Sequence, residues 1–253
     1  MRMTKFVSLA VALGACVAEP GDSSTTETNT PRIIANALSP GALSGAALTT
    51  AQLTSSNAAA MGATSDARKV LGYAAECALD ATQTVSFTVS GTGYSVTGAL
   101  GMVTAWTSRA LTWDEASWVS ACVFARVNLT ATSVAFSARG AWTGLGTTTS
   151  ELSDYLIEEG AFWGNAFLDL GALTPYACNG VDQAYDDSYA DLPLRECAQP
   201  SWDPNSNLTP CGFNYAGLCG DVCLPGSPYA DCAFLGGRPR AAVITAFLYG
   251  TPL

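Results

Sequence analysis

Two adjacent glutamates, Glu158 and Glu159, stand just ahead of Trp163 in the stretch "EEGAFWGNAF". Glycoside hydrolysis uses two carboxyl groups flanking the scissile bond, and an aromatic ring beside them can stack on a sugar. A glutamate set among buried aromatics has its pKa raised, which suits a general acid. The plainer reading is a pair of helix-face glutamates that cap a helix or pair with Arg126 or Arg139. A second group of oxygens lies in "DPNSN", where Asp203, Asn205 and Asn207 alternate as in the opening of a calcium loop of the EF-hand type. That loop fails further on, because Leu208 stands where glycine is needed and Asn214 where a bidentate glutamate is needed. Asp186, Asp187 and Asp191 add carboxylates without a defined spacing. Turn formation by Asx side chains accounts for these residues without a metal, and no cofactor is expected.

The chain contains no histidine. Ser-His-Asp and Cys-His mechanisms need an imidazole base that titrates near neutrality, so both are excluded in their usual form. HExxH metallohydrolase chemistry is excluded with them, and no G-x-S-x-G, S-x-x-K or phosphate-cradling GxxxxGK occurs.

Nine cysteines make an odd set, and an exported chain rarely leaves a thiol unpaired. Setting Cys16 aside leaves Cys77, Cys122, Cys178, Cys197, Cys211, Cys219, Cys223 and Cys232, enough for four disulfides in an oxidising compartment. The partners cannot be read from spacing alone. The run C-x7-C-x3-C-x8-C from Cys211 to Cys232 could also be weighed as a metal site, but only Cys219 and Cys223 have the close spacing usual for zinc. Disulfides are the expected use.

Cys16 has a different setting. Arg2 and Lys5 precede an apolar run from Phe6 to Gly14, too short to span a bilayer, and small residues come just before the cysteine. The stretch "LGAC" resembles the lipobox of bacterial lipoproteins. The resemblance implies a signal peptide over residues 1–15, its removal, and a diacylglyceryl thioether on Cys16 that holds the protein to a membrane. Residues 16–31 then read as a polar, acidic linker that stays solvated. In residues 32–63, leucine recurs every five positions at Leu38, Leu43, Leu48 and Leu53. This resembles a pentapeptide repeat, which implies one coil capping the folded domain; the alternative is an Ala/Ser/Thr spacer.

The compact domain is expected over residues 64–253. "TSDARKVLGYAAECAL" places Val70, Leu71, Ala74, Cys77 and Ala78 at helical spacing. Val85, Phe87 and Val89 alternate ahead of a turn at Gly91 to Gly93, and Tyr94 and Val96 resume the pattern, predicting a β-hairpin. Thr112 and Glu115 have the capping-box spacing before a second helix with Trp118, Ala121, Cys122 and Ala125 on one face. "SVAFSARG" predicts a strand, and "TSELSDYLIEEGAFWGNAF" a third helix broken or bent near Gly160 and Gly164. From Tyr176 onward Pro, Gly and Cys dominate until "AAVITAFLYG", a buried closing strand. Helices and strands mix without a βαβ rhythm, so the fold class is α+β, a single disulfide-stabilised domain.

The segments "RKVLGYAAECAL", "WVSACVFARVN", "EEGAFWGNAF", "YACNG", "RECAQP" and "CGFNYAGLCGDVC" together resemble a group of exported, cysteine-rich bacterial proteins to which no activity is assigned. The resemblance spans residues 64–253 and implies export without specifying chemistry.

Charge narrows the partners. Once Arg2 and Lys5 leave with the signal peptide, 9 basic residues remain against 21 acidic ones, a balance of −12. Such a surface repels a phosphate backbone, so no nucleic acid partner is expected. The sequons at Asn128 and Asn207 carry no weight in a bacterial setting. The expectation is a lipid-anchored protein of the bacterial cell envelope, an outer-membrane lipoprotein or one exported to the surface. Its role is binding a protein or glycan ligand or surface structure, more than catalysis; the alternative is a carboxylate-dependent extracellular hydrolase of glycans.

Overall fold

The computed structural model describes residues 25–28, 43–48, 65–127, 134–167, 170, 174–181, 197–200, 203, 205–233, 239–240 and 242–250. Cys16, Leu38, Leu53, Asn128 and the aspartates 186, 187 and 191 lie outside them.

The fold is α+β. Its centre is a six-stranded sheet in the order β1-β4-β10-β5-β6-β7. The strands are β1 (Thr25–Thr28), β4 (Val134–Arg139), β5 (Ile157–Asn165), β6 (Thr174–Asn179), β7 (Asn214–Leu218) and β10 (Val243–Leu248). Neighbours are antiparallel except β6 and β7, which run parallel. All six residues of β10 are buried, as are all nine of β5. A strand buried on both faces carries a continuous apolar run in place of alternation, and "VITAFL" has that character.

One face of the sheet is covered by helix α2 (Trp113–Ala125), with α1 (Ser65–Ala78) packed behind it. The α2 side chains were expected to bury along one stripe, but residues 116–125 are buried without interruption. The helix is held between the sheet and α1, so every side of it meets protein. Two serines inside it are satisfied locally: Ser117 Oγ donates to the Trp113 carbonyl at 2.8 Å, and Ser120 Oγ to the Ala116 carbonyl at 2.6 Å. The Cys77–Cys122 disulfide ties α1 to α2. Beside it, Arg126 enters the core and pairs with Glu76 at 2.9 Å. Burial pushes the Arg126 guanidinium down from its ordinary value.

The predicted hairpin forms from β2 (Thr84–Val89) and β3 (Thr92–Thr97). Its two-residue turn is Ser90-Gly91, one position earlier than expected, and both residues have positive φ, at 51° and 83°. Such a turn twists with the strands and closes the shortest hairpins. Phe87 stacks on Tyr94 with ring centroids 5.6 Å apart, and Arg68 lies over the Tyr94 ring.

Among the described residues, two segments upstream of residue 64 join the fold. Thr25–Thr28 pair with β4 as the edge strand of the sheet. Residues 43–48 lie against the domain, with Leu43 and Leu48 buried in the main core. Leu48 N donates to the Trp106 carbonyl, Trp106 Nε1 donates to the Ala46 carbonyl, and Leu111 N donates to the Gly45 carbonyl.

The third predicted helix requires correction. Helix α3 covers Thr149–Asp154 with the capping box Thr148/Glu151, but the chain then enters strand β5. The glycines that suggested a bent helix serve strand pairing. A Cβ on Gly164, at φ +128°, would lie 1.8 Å from the Thr174 carbonyl oxygen, and one on Gly160 would lie 2.2 Å from that of Cys178. Only glycine lets β6 come this close. Among the described residues the remaining short elements are a 3-10 helix (Thr104–Thr107), helix α4 (Cys219–Val222) and the pair β8 (Cys232–Ala233) and β9 (Pro239–Arg240).

The α2 N-terminus sets an acid dependence. Arg109 grips Glu115 with both terminal guanidinium nitrogens, Nη1 at 2.7 Å and Nη2 at 2.5 Å. That grip, with added bonds from Thr112, holds the Glu115 carboxyl at about 2, below the usual 4.5. A depressed carboxyl stabilises the fold above its unfolded value, and the contribution is lost as pH falls toward the folded value. Chemical denaturation at a series of pH values should therefore show stability declining between about pH 4.5 and 2, with Glu115→Gln flattening that part of the profile. Removing the 45-residue crosslink in Cys77→Ala/Cys122→Ala should lower unfolding free energy by about 4 kcal/mol.

Candidate functional site

The other face of the sheet gathers most of the residues with chemical potential. Cross-strand register sets them in rows. Ser137 of β4, Phe247 of β10 and Glu158 of β5 lie opposite one another, followed by Arg139, Thr245 and Ala161. The next row holds Val243, Trp163, Tyr176 and Asn214. The β10–β5 register shifts between Ala246 and Phe247, so Glu159 is the extra residue of a bulge between the paired Glu158 and Gly160.

Several polar side chains on this face are bound to one another or to backbone groups. Ser137 Oγ donates to Glu151 Oε1 at 2.5 Å and accepts from Arg139 Nε at 2.8 Å. Arg139 Nη2 donates to the Tyr155 carbonyl at 2.6 Å, and its guanidinium lies 3.9 Å from the centroid of the Phe247 ring. Burial pushes Arg139 down from its ordinary value, with Glu151 acting in the opposite direction. Tyr229 OH donates to Glu158 Oε1 at 2.7 Å, and the Tyr229 N–H donates to Thr245 Oγ1 at 3.0 Å. These bonds join a C-terminal loop to the two central strands.

Glu158 and Glu159 are 5% and 2% exposed. They sit in a strand, not on a helix face, and protein covers both. Trp163 is fully buried and stacks on Tyr176 with ring centroids 5.7 Å apart and planes 12° from parallel. The ring face that could have met a sugar is occupied. Its Nε1 has no hydrogen-bond partner among the described residues. Asp203 accepts from the Asn205 backbone N–H and side chain, an Asx turn, and the Asn207 carbonyl accepts from Tyr215 N.

All eight cysteines of the domain form disulfides: Cys77–Cys122, Cys178–Cys219, Cys197–Cys211 and Cys223–Cys232. The quartet weighed as a metal site is divided. Cys211 bonds to Cys197 in the main core, whereas Cys219, Cys223 and Cys232 join Cys178 under the second face with Ala161, Trp163, Tyr229 and Val243.

Sequence reasoning missed Tyr229 and Ser137. Tyr229 lies 71 residues from Glu158, and nothing local to it marks the contact. Glu151 was legible as a cap, yet its carboxylate also reaches across to Ser137, a contact visible only once β4 is placed.

No protein-family model, curated protein or solved structure matches this chain.

If Tyr229 anchors the loop through Glu158, Tyr229→Phe should destabilise the fold by about 1–3 kcal/mol, the range for a lost buried hydrogen bond. Urea unfolding should show a lower midpoint with an unchanged slope.

Proposed function

We propose that this chain is an exported, lipid-tethered protein of the bacterial cell envelope, whose disulfide-locked α+β domain serves in binding or surface structure. The observation that carries the reading is the use of cysteine. Eight of nine are paired in four bridges, as suits an oxidising compartment, and the ninth is Cys16 of the "LGAC" stretch. The acidic surface supports a partner other than nucleic acid or anionic lipid headgroups.

Catalysis on glycans has less support than binding. Glu158 is engaged by Tyr229, both glutamates are buried, and Trp163 is covered by Tyr176. These residues belong to the inner surface of a sheet covered on both sides, and the Glu158 carboxylate fastens that cover through Tyr229.

Mass spectrometry of protein isolated from membranes tests the reading. The expected amino terminus is Cys16 carrying a diacylglyceryl thioether, and Cys16→Ser should release the chain from the membrane fraction. An intact leader, or an unmodified Cys16 thiol on membrane-free protein, would overturn it.

A further inference from the structure

Two of the four disulfides touch. Cys178–Cys219 joins β6 to α4, and Cys223–Cys232 closes the segment that follows α4. Sγ of Cys178 lies 3.7 Å from Sγ of Cys223, and the sulfurs of Cys178, Cys223 and Cys232 all lie within 4.8 Å of one another. The other two bridges belong to the main core, apart from this group. Exchange between disulfides proceeds by attack of a thiolate on a neighbouring sulfur, and here the two sulfurs are already in contact. Access is uneven as well. Cys223 is 9% exposed, the most of the eight, and residues 224–227 beside it are exposed.

We propose that Cys178, Cys219, Cys223 and Cys232 form one thiol–disulfide exchange centre, entered at Cys223 by an external dithiol. The dithiol's first thiolate bonds to Cys223 Sγ and breaks the Cys223–Cys232 bond; Cys232 leaves as a thiolate and takes a proton from water. The second thiol of the reagent then closes on the first, releasing Cys223 as a thiolate. Two electrons have passed from the dithiol, now a cyclic disulfide, to the protein. The Cys223 thiolate attacks Cys178 Sγ, forming Cys178–Cys223 and breaking Cys178–Cys219, and Cys219 leaves as a thiolate. This last step changes no oxidation state. The two-electron-reduced domain thus carries a bridge absent from the oxidised form and thiols at Cys219 and Cys232, residues that began in different disulfides.

The test treats the full oxidised chain under native conditions with limiting dithiothreitol, then quenches in acid, alkylates, digests without further reduction and maps the peptides by mass spectrometry. The expected product is a Cys178–Cys223 cross-linked peptide, with alkyl groups on Cys219 and Cys232, in molecules that retain Cys77–Cys122 and Cys197–Cys211. Alkylation only of native pairs, Cys223 with Cys232 or Cys178 with Cys219, and no Cys178–Cys223 peptide at any dose, would overturn the proposal. So would a Cys178–Cys223 peptide formed only in molecules that have lost the two core bridges, because that exchange would need general unfolding.

Discussion

Strands β5 and β10 lie side by side with all their residues buried, so the sheet must be covered on both faces. The two covers are built differently. On one side the sequence supplies a helix apolar enough to be surrounded, and α2 packs across β5 and β10 by shape. On the other side the segment Cys219–Cys232 contributes to the cover; it holds two glycines and two prolines, and besides its cysteines its large apolar side chains are Val222, Leu224 and Tyr229. Burial alone gives such a segment little stability against its conformational entropy. Covalent closure and side-chain hydrogen bonds supply what packing does not.

The division explains where polar groups are buried. The face under α2 is aliphatic and aromatic, with Phe136, Ala138, Phe162, Ile244 and Leu248 in the main core. The opposite face holds Ser137, Arg139, Thr245 and Glu158, each engaged with a partner from another segment: Glu151, Tyr155 and, for the last two, Tyr229. A buried polar group without a partner costs free energy, so these positions admit the loop only in the register that satisfies them. Tyr229 meets both central strands, bonding Glu158 of β5 and Thr245 of β10, and so fixes the cover over their junction.

Much of this was legible where the signal is local. The capping box at Thr112/Glu115, the apolar spacing of Val70 to Ala78, the hairpin alternation and the β-branched run of β10 each specify their own element. The boundary between α3 and β5 was not, because the cap at Thr148 announces a helix that lasts six residues, and a doubly buried strand lacks the alternation that marks its kind. Gly160 and Gly164 looked like helix breakers, while their cause lies in β6, a different part of the chain. Cysteine number predicted the bridges, but the pairing depends on which face of the sheet each cysteine reaches. The candidate glutamates were found by type; that they are interior was hidden for the same reason the strand was.

Residues 43–48 carry two leucines, Leu43 and Leu48, into the main core, and Trp106 exchanges hydrogen bonds with Ala46 and Leu48. This hexapeptide behaves as a plug threaded in from upstream, and its covalent attachment makes its seating a unimolecular event. A recombinant fragment begun at the first residue of α1 would have an unplugged socket beside the indole of Trp106, and the missing piece could be supplied in trans as a synthetic peptide.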